Sequence, residues 1–158
     1  GKDKISYENN FYKRHAFINK AIQKYNNCKY LEIGVDNNEV FNTIPLPIKN
    51  KIGVDPVRGG RRRITSDEFF KTNNIKFDVI NCQLMIHFLF KNDITLSNFC
   101  DNINSYLAND GYLLVTTFDG DIIHKQFRNT NGKIIHHYTD EGEKKKFFEY
   151  LQNYDILY

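Results

Sequence analysis

The chain has 158 residues, of which 41% are hydrophobic and 26% charged, with a net charge of +3. This is the composition of an ordinary globular protein with a real core, and so mild a charge does not by itself indicate a nucleic-acid partner. Because Cys28, Cys82 and Cys100 have neither disulfide nor metal spacing, and neither a signal peptide nor an apolar run of roughly 18 residues is visible, we expect an intracellular protein with reduced thiols, no metal and no membrane segment.

Short apolar runs alternate with helical periodicity along the chain. The pattern predicts helices in HAFINKAIQKY, NNEVFNTIPL before Pro45, SDEFFKTN with Ser66 as N-cap, TLSNFCDNINSYL, a short segment before GKIIHHYT, and EKKKFFEYLQNY. It predicts strands in KYLEIGV, KIGVDP, RRRIT, KFDVINCQ, DGYLLVTTF, GKIIHHYT and DILY. This alternation predicts an α/β fold with a mostly parallel central sheet and helices on both faces, and we expect residues 1–158 to form a single domain.

Acidic residues and a glycine lie at the ends of the first strands. Glu32 is near the end of the first strand, Gly34 is in the following turn, and Asp55 ends the second strand about 20 residues later, where a carboxylate is placed to accept both hydroxyls of a ribose. Asp67 follows the third predicted strand, where it is placed to meet an adenine amino group. Each residue alone is explained as a strand end or turn, but together they favour a nucleoside-containing cofactor. A dinucleotide is disfavoured because G-x-G-x-x-G is absent.

The segments YLEIGV, IGVDP and TSDEFF resemble the class I S-adenosylmethionine (SAM) dependent methyltransferases. In that family an acidic residue followed by glycines ends strand one, and a second acidic residue ends strand two. The later glycine positions here hold Asp36 and Asn38, residue types that tolerate left-handed backbone, so we expect the turn to form. The resemblance implies a Rossmann-like methyltransferase fold with SAM bound near Glu32, Gly34 and Asp55.

The segment FDVINCQLMIHFLFKN, followed by NINSYLANDGYLLVTTFDGDII, resembles the mRNA cap guanine-N7 methyltransferases. The likeness covers residues 77–138 and is greatest to the poxvirus-type capping enzymes of large DNA viruses, although Asp110-Gly111 replaces the usual Gly-Gly. It implies that Gln83 lies at the methionine side of SAM and that Lys20 matches a lysine that meets the SAM carboxylate. It also implies a cap guanine pocket, formed by His87, Phe88 and Phe90.

This resemblance implies SAM-dependent methylation of a cap guanine, with capped RNA as substrate and a stimulatory protein subunit as partner. It also implies a cytoplasmic protein, in a viral factory or virion, excised from a longer capping enzyme. Guanine N7 has a free lone pair, so we expect in-line transfer by positioning, without a general base or other catalytic residue. Cations for the triphosphate are available after two strands, although such charges are usually solvated surface: Arg58, Arg61, Arg62, Arg63, Lys125 and Arg128.

Two other functions stay open at this stage. The SDEFF segment is also compatible with a small-molecule or sugar methyltransferase. The altered glycine loop is compatible with a methyltransferase-like subunit that has no catalytic activity. SAM binding separates the last of these from the two enzymes. Methyl transfer to a capped guanosine, compared with phenols, amines or sugars, separates the two enzymes from each other.

Overall fold

The computed structural model describes residues 7–83, 86, 92–117, 119–129, 133–140 and 143–151. The chain divides into two compact units, Gly1–Thr117 and Phe118–Tyr158. The single domain expected from the sequence stays a prediction. Among the described residues, no helix combines the length and apolar character that a membrane span requires.

The first unit contains a four-stranded parallel sheet in the order β2-β1-β3-β4. Its helices and strands are, in chain order, α1 (Tyr7–Ile22), β1 (Tyr30–Ile33), α2 (Glu39–Thr43), a 3-10 turn (Ile48–Asn50), β2 (Lys51–Val54), α3 (Ser66–Thr72), β3 (Phe77–Gln83), α4 (Asp93–Tyr106) and β4 (Leu107–Thr116). Because β2 and β3 lie on opposite sides of β1, the chain changes direction there. Ligands of such sheets bind at this switch point, beyond the carboxyl ends of the strands.

Helices cover both faces of this sheet, which confirms the predicted architecture. On one face, Ile18 of α1 and Val40 of α2 are buried in the same cluster as residues of β1. On the other face, Phe70 of α3 and Phe99 of α4 are buried with residues of β3. A strand covered on both faces is buried along its whole length, and nearly every residue of β1, β2 and β3 is buried.

Two predictions for the segment between β2 and α3 are wrong. RRRIT forms no strand among the described residues, because Arg62 makes one isolated bridge with Val54 before the chain turns into α3. The N-cap of α3 is Thr65 rather than Ser66. The Thr65 hydroxyl accepts a hydrogen bond from the Glu68 backbone at 3.2 Å, and the Glu68 carboxylate accepts one from the Thr65 backbone at 2.8 Å. This capping box begins the helix at Ser66.

The second unit contains α5 (Gly120–Asn129), β5 (Lys133–Asp140) and β6 (Glu143–Leu151). Strands β5 and β6 pair antiparallel from Asp140↔Glu143 to Lys133↔Leu151. The helix predicted for EKKKFFEYLQNY is therefore wrong. The aromatic residues of this segment favour a strand. Its backbone N–H and C=O groups form hydrogen bonds with β5, although the spacing of its apolar residues is also that of a helix. The predicted strand DILY lies outside the described residues.

Candidate functional site

The turn after β1 takes three residues through left-handed backbone. Gly34, Asp36 and Asn38 have φ angles of 79°, 55° and 66°. Glycine adopts this conformation freely, and Asn and Asp do so at lower cost than most other residues. The prediction that Asp36 and Asn38 can stand at glycine positions of this turn is confirmed. The Gly34 N–H donates to the Val54 carbonyl at 2.9 Å, which ties the turn to the end of β2.

Asp55 joins this turn to the loop after β2. Its carboxylate accepts hydrogen bonds from the backbone N–H groups of Asp36 at 3.0 Å, Val57 at 2.8 Å and Arg58 at 3.0 Å. Burial raises the pKa of this carboxyl, but the three N–H groups outweigh burial and hold its pKa below the usual value. A carboxylate has about four acceptor positions, so about one remains for a ribose hydroxyl rather than the two expected from the sequence.

Two glycines hold the loop after β2 against the turn after β1. Gly59 and Gly60 have φ angles of 70° and 63°. The Gly60 N–H donates to Asn38 Oδ1 at 2.7 Å, and Arg58 forms an ion pair with Asp36. A Cβ atom on Gly59 would lie 1.7 Å from the Asp36 carbonyl oxygen, so only glycine fits there. The two loops therefore form one closely packed structure at the carboxyl edge of the sheet.

A buried polar cluster lies between β1 and β3, on the face covered by α1. Glu32 and Asn81 are register partners, with 2% and 1% of their surfaces exposed. The Tyr30 hydroxyl donates to Glu32 Oε2 at 2.8 Å. Asn81 Oδ1 has no hydrogen-bond partner among the described residues. An unpaired buried acceptor costs about 1–3 kcal/mol, which is tolerated most readily where a ligand donates the missing bond.

Arg14 of α1 extends this cluster to the end of β3. Its Nε donates at 2.7 Å to Oε1 of Gln83, the last residue of the strand. We did not predict this residue from the sequence. The signal in the sequence was the spacing of Arg14, which lies four and eight residues before the buried Ile18 and Ile22 and therefore on the same face of the helix. A cation on a buried helix face needs a polar partner.

Glu32 is the titrating group of the cluster. Burial raises the pKa of Glu32 to about 7, although the Tyr30 hydroxyl and the charges of Arg14 and Lys51 act to lower it. The unfolded chain holds the same carboxyl at an ordinary pKa of 4.5. The contribution of Glu32 to stability is therefore complete below about pH 4.5 and is lost as pH rises through about 7.

We expect Glu32→Gln to remove this pH dependence. Glutamine still accepts a hydrogen bond from the Tyr30 hydroxyl but does not ionise. Between pH 4.5 and pH 7.5, the free energy of unfolding of the variant should therefore rise by about 3 kcal/mol relative to that of wild type. Urea unfolding of both proteins at four pH values in that range measures the difference. A difference that stays constant with pH would show that Glu32 titrates normally in the folded protein.

A surface cavity of about 460 Å³ lies at the other edge of the sheet. It is lined by Tyr25, Lys76, Asp78, Ala108, Asn109 and Asp110. Asp78 and Ala108 are near the amino-terminal starts of β3 and β4, whereas Gln83 ends β3. The cavity is therefore separate from the polar cluster and its two loops.

The sequence model of the mRNA (guanine-N(7))-methyltransferase domain family matches residues 61–148, which is more than half of the chain. The chain belongs to this family. It is also 45% identical over 75 residues to the probable mRNA-capping enzyme of Acanthamoeba polyphaga mimivirus. That match covers 47% of this chain and 6% of the viral protein, so the chain spans a small part of its relative's length.

Two solved structures resemble this cap methyltransferase domain. The N-methyltransferase NodS from Bradyrhizobium japonicum WM9 has a TM-score of 0.58 at 14% identity, over 87% of this chain and 93% of NodS. The precorrin 8w decarboxylase of Methanobacterium thermoautotrophicum has a TM-score of 0.50 at 10% identity, over 85% of this chain and 83% of that protein. At these identities the likeness shows the fold alone. Family and fold are those of SAM-dependent methyltransferases, and both predictions are confirmed.

Two described residues predicted for the site of this methyltransferase domain, Lys20 and Asp67, remain to be placed against the cluster. Lys20 is exposed in the last turn of α1, about 9 Å along the helix from Arg14 in the direction of the amino-terminal edge of the sheet. Asp67 accepts a hydrogen bond from Asn102 of α4 at 3.1 Å, so this contact links two helices. The cofactor roles of Lys20 and Asp67 stay predictions.

The three residues assigned to the guanine pocket, His87, Phe88 and Phe90, lie outside the described residues. Gln83, four residues before His87, stands at the carboxyl end of β3 beside the switch point. Their roles likewise stay predictions.

Proposed function

We propose that this domain methylates guanine N7 of an mRNA cap with SAM as methyl donor. The observation that carries the proposal is the family match over residues 61–148, which includes the carboxyl end of β3 and the segment after it. When bound, SAM supplies an electrophilic methyl group on a positively charged sulfonium. From the viral relative we also infer capped RNA as substrate and a cytoplasmic setting, and a stimulatory subunit stays a prediction.

The polar groups at the switch point fit the functional groups of SAM. The buried Glu32 carboxylate complements the cationic groups of the cofactor, and Asn81 Oδ1 offers an unpaired acceptor. Arg14 donates to Gln83 through Nε, which leaves its two Nη groups for a carboxylate. Asp55 has capacity for one ribose hydroxyl. Because charges inside the protein interact more strongly than in water, each pairing contributes both affinity and orientation.

The chemistry asks the protein for positioning rather than for proton transfer. Guanine N7 carries a lone pair and no proton, so no side chain acts as a general base. The residues of the site hold the base in line with the methyl group and exclude water, which can lower a barrier by roughly 7–11 kcal/mol in favourable cases. We propose that Phe88 and Phe90 stack against the guanine and that His87 donates a hydrogen bond to its edge.

We expect Phe90→Ala to lower kcat/KM for a capped substrate by about 10- to 100-fold, because a stacked base is stabilised by roughly 1–3 kcal/mol. SAM affinity should stay within a factor of two or so, since the residue is assigned to the base and not to the cofactor. Methyl transfer from labelled SAM to a cap analogue measures the effect. Phe17→Ala is the matched control, because Phe17 is 65% exposed on α1. Equal activities of both variants would refute the guanine pocket.

The acceptor comparison tests the function itself. We expect the chain to transfer methyl groups to GpppG and not to a panel of phenols, amines and sugars. Preference for a member of the panel would establish a small-molecule methyltransferase, as the SDEFF segment allows. The acceptors tested should also include a capped RNA. If the chain binds SAM but transfers no methyl group to any of them, it is a subunit without catalytic activity.

A further inference from the structure

We propose that Arg61, Arg62 and Arg63, called here the arginine run, bind the phosphates of the single-stranded RNA that follows the cap. The inference rests on the proposed function for the identity of its partner. It concerns the RNA body and not the guanine pocket, so it adds an interaction surface outside the site described above. The surface lies at the loop after β2, on the edge of the sheet where the SAM site is proposed.

The arginine run is exposed and, among the described residues, forms no ion pair. All three side chains are exposed, and no ion pair joins any of them to a carboxylate within the part of the chain that the structure describes. The charge of Arg61 also lowers the pKa of Lys51, although burial of that ammonium is the larger cause. Like charges are therefore close together here, and an anionic ligand would relieve their repulsion.

The acidic residues on the neighbouring turn and on either side of the run in sequence have other hydrogen-bond partners. Asp36 pairs with Arg58, and the Asp55 carboxylate accepts three backbone N–H groups. On the other side of the run, Asp67 accepts from Asn102 and Glu68 closes the capping box of α3. Among the described residues, none of these carboxylates forms an ion pair with the run, so its guanidinium groups stay available for a ligand.

The backbone of the run is held firmly in place. The N–H groups of Arg61 and Arg62 both donate to the Gly53 carbonyl, at 3.1 and 3.2 Å, and the Arg62 carbonyl accepts from the Asp55 N–H at 3.1 Å. Arg63 Nη1 also donates to the Val57 carbonyl at 3.3 Å. A surface fixed in this way loses less conformational entropy when it binds a flexible strand.

The chemistry of the run suits phosphate. Guanidinium groups present planar pairs of donors that match phosphate oxygens, and arginine is preferred over lysine where such recognition matters. A competing explanation is that the charges protect β2, the outer strand of the sheet, from pairing with another chain, because Arg62 bridges to Val54 on its free side. The two explanations differ in what they predict for RNA binding.

The test is fluorescence anisotropy of an uncapped single-stranded 12-nucleotide RNA, titrated with the full chain at several salt concentrations. Wild type is compared with Arg61→Gln/Arg62→Gln/Arg63→Gln. Removing three phosphate contacts should weaken binding about tenfold or more near 0.1 M salt and should reduce the slope of log K against log salt by about 2. Arg61→Gln/Arg62→Gln, which keeps the contact between Arg63 and Val57, should show about two thirds of the change in slope.

The matched control is Lys29→Gln/Lys49→Gln/Lys76→Gln, which removes the same charge from exposed lysines that precede β1, β2 and β3 at the opposite edge of the sheet. We expect this control to bind RNA nearly as wild type does. Equal losses in the control and the arginine variants would overturn the proposal, as would a wild type that does not bind the RNA. Variants that aggregate yet bind RNA normally would establish strand protection instead.

Because the RNA is uncapped and no methyl transfer is measured, this outcome does not depend on whether the cap is the substrate. In an activity assay, the arginine variants should raise KM for a capped 12-nucleotide RNA by a larger factor than KM for GpppG, because GpppG offers these cations only the cap triphosphate. If wild type methylates GpppG but the arginine variants have the same KM as wild type for the capped 12-nucleotide RNA, this inference is contradicted and the proposed function is unaffected.

Discussion

Replacing Arg14 with methionine should weaken SAM binding by about 10- to 100-fold, because a hydrogen-bonded charge pair contributes roughly 1.5–3 kcal/mol. Methionine keeps the apolar stem of the side chain on α1 but removes the guanidinium that donates to Gln83. The loss of that charge also raises the pKa of Glu32 further, since Arg14 lowers it in the native protein. Calorimetric titration of SAM into the variant at pH 7.5 measures the change.

Lys20→Met is the matched control for this experiment. It removes the same charge from an exposed position on the same helix. The sequence resemblance assigned the SAM carboxylate to Lys20, whereas the geometry favours Arg14, which reaches the end of β3. We expect the control to bind SAM with wild-type affinity. A loss of affinity in Lys20→Met with none in Arg14→Met would restore the assignment made from the sequence.

Replacing Gly59 with alanine should destabilise the first unit by about 3 kcal/mol, with a roughly 10 °C lower midpoint of thermal unfolding. The new Cβ would lie 1.7 Å from the Asp36 carbonyl oxygen, and φ at this position is +70°. The loop after β2 must then move, which breaks the hydrogen bond from the Gly60 N–H to Asn38 and disturbs the ion pair between Arg58 and Asp36. Circular dichroism during heating measures the midpoint.

Gly120→Ala provides the control for Gly59→Ala. A Cβ atom at Gly120 meets nothing within 4 Å, and the residue begins α5. Alanine is a better helix former than glycine, so we expect this variant to match or slightly exceed wild-type stability. If Gly59→Ala unfolds at the wild-type temperature, the two loops are not held together as the structure describes.

The sequence predicted the parallel sheet because β1 and β2 are short, mostly apolar segments followed by Gly34 and Asp55, and β3 is a longer one that ends at Gln83. These signals are local, since a buried strand needs apolar side chains on both faces and a turn needs residues that accept left-handed backbone. The prediction that Asp36 and Asn38 would adopt that backbone came from residue type alone, and it is confirmed.

The features that the sequence did not reveal depend on contacts between distant residues. The hydrogen bond between Arg14 and Gln83 joins positions 69 residues apart. Asp55 has fewer acceptor positions left for ribose hydroxyls than the sequence suggested, because three backbone N–H groups that only the folded loops bring together already donate to it. The helix predicted for residues 143–154 is wrong over residues 143–151 for the same reason, because pairing with β5 outweighs the local periodicity of the segment.

Calorimetric titration of the chain with SAM, followed by GpppG, tests most directly whether the carboxyl ends of β1 and β3 form a methyltransferase site. We predict saturable binding of one SAM per chain, weakened by Arg14→Met and not by Lys20→Met, and then binding of the cap analogue to the SAM complex. A chain that remains folded and gives no saturable SAM binding would contradict the central claim.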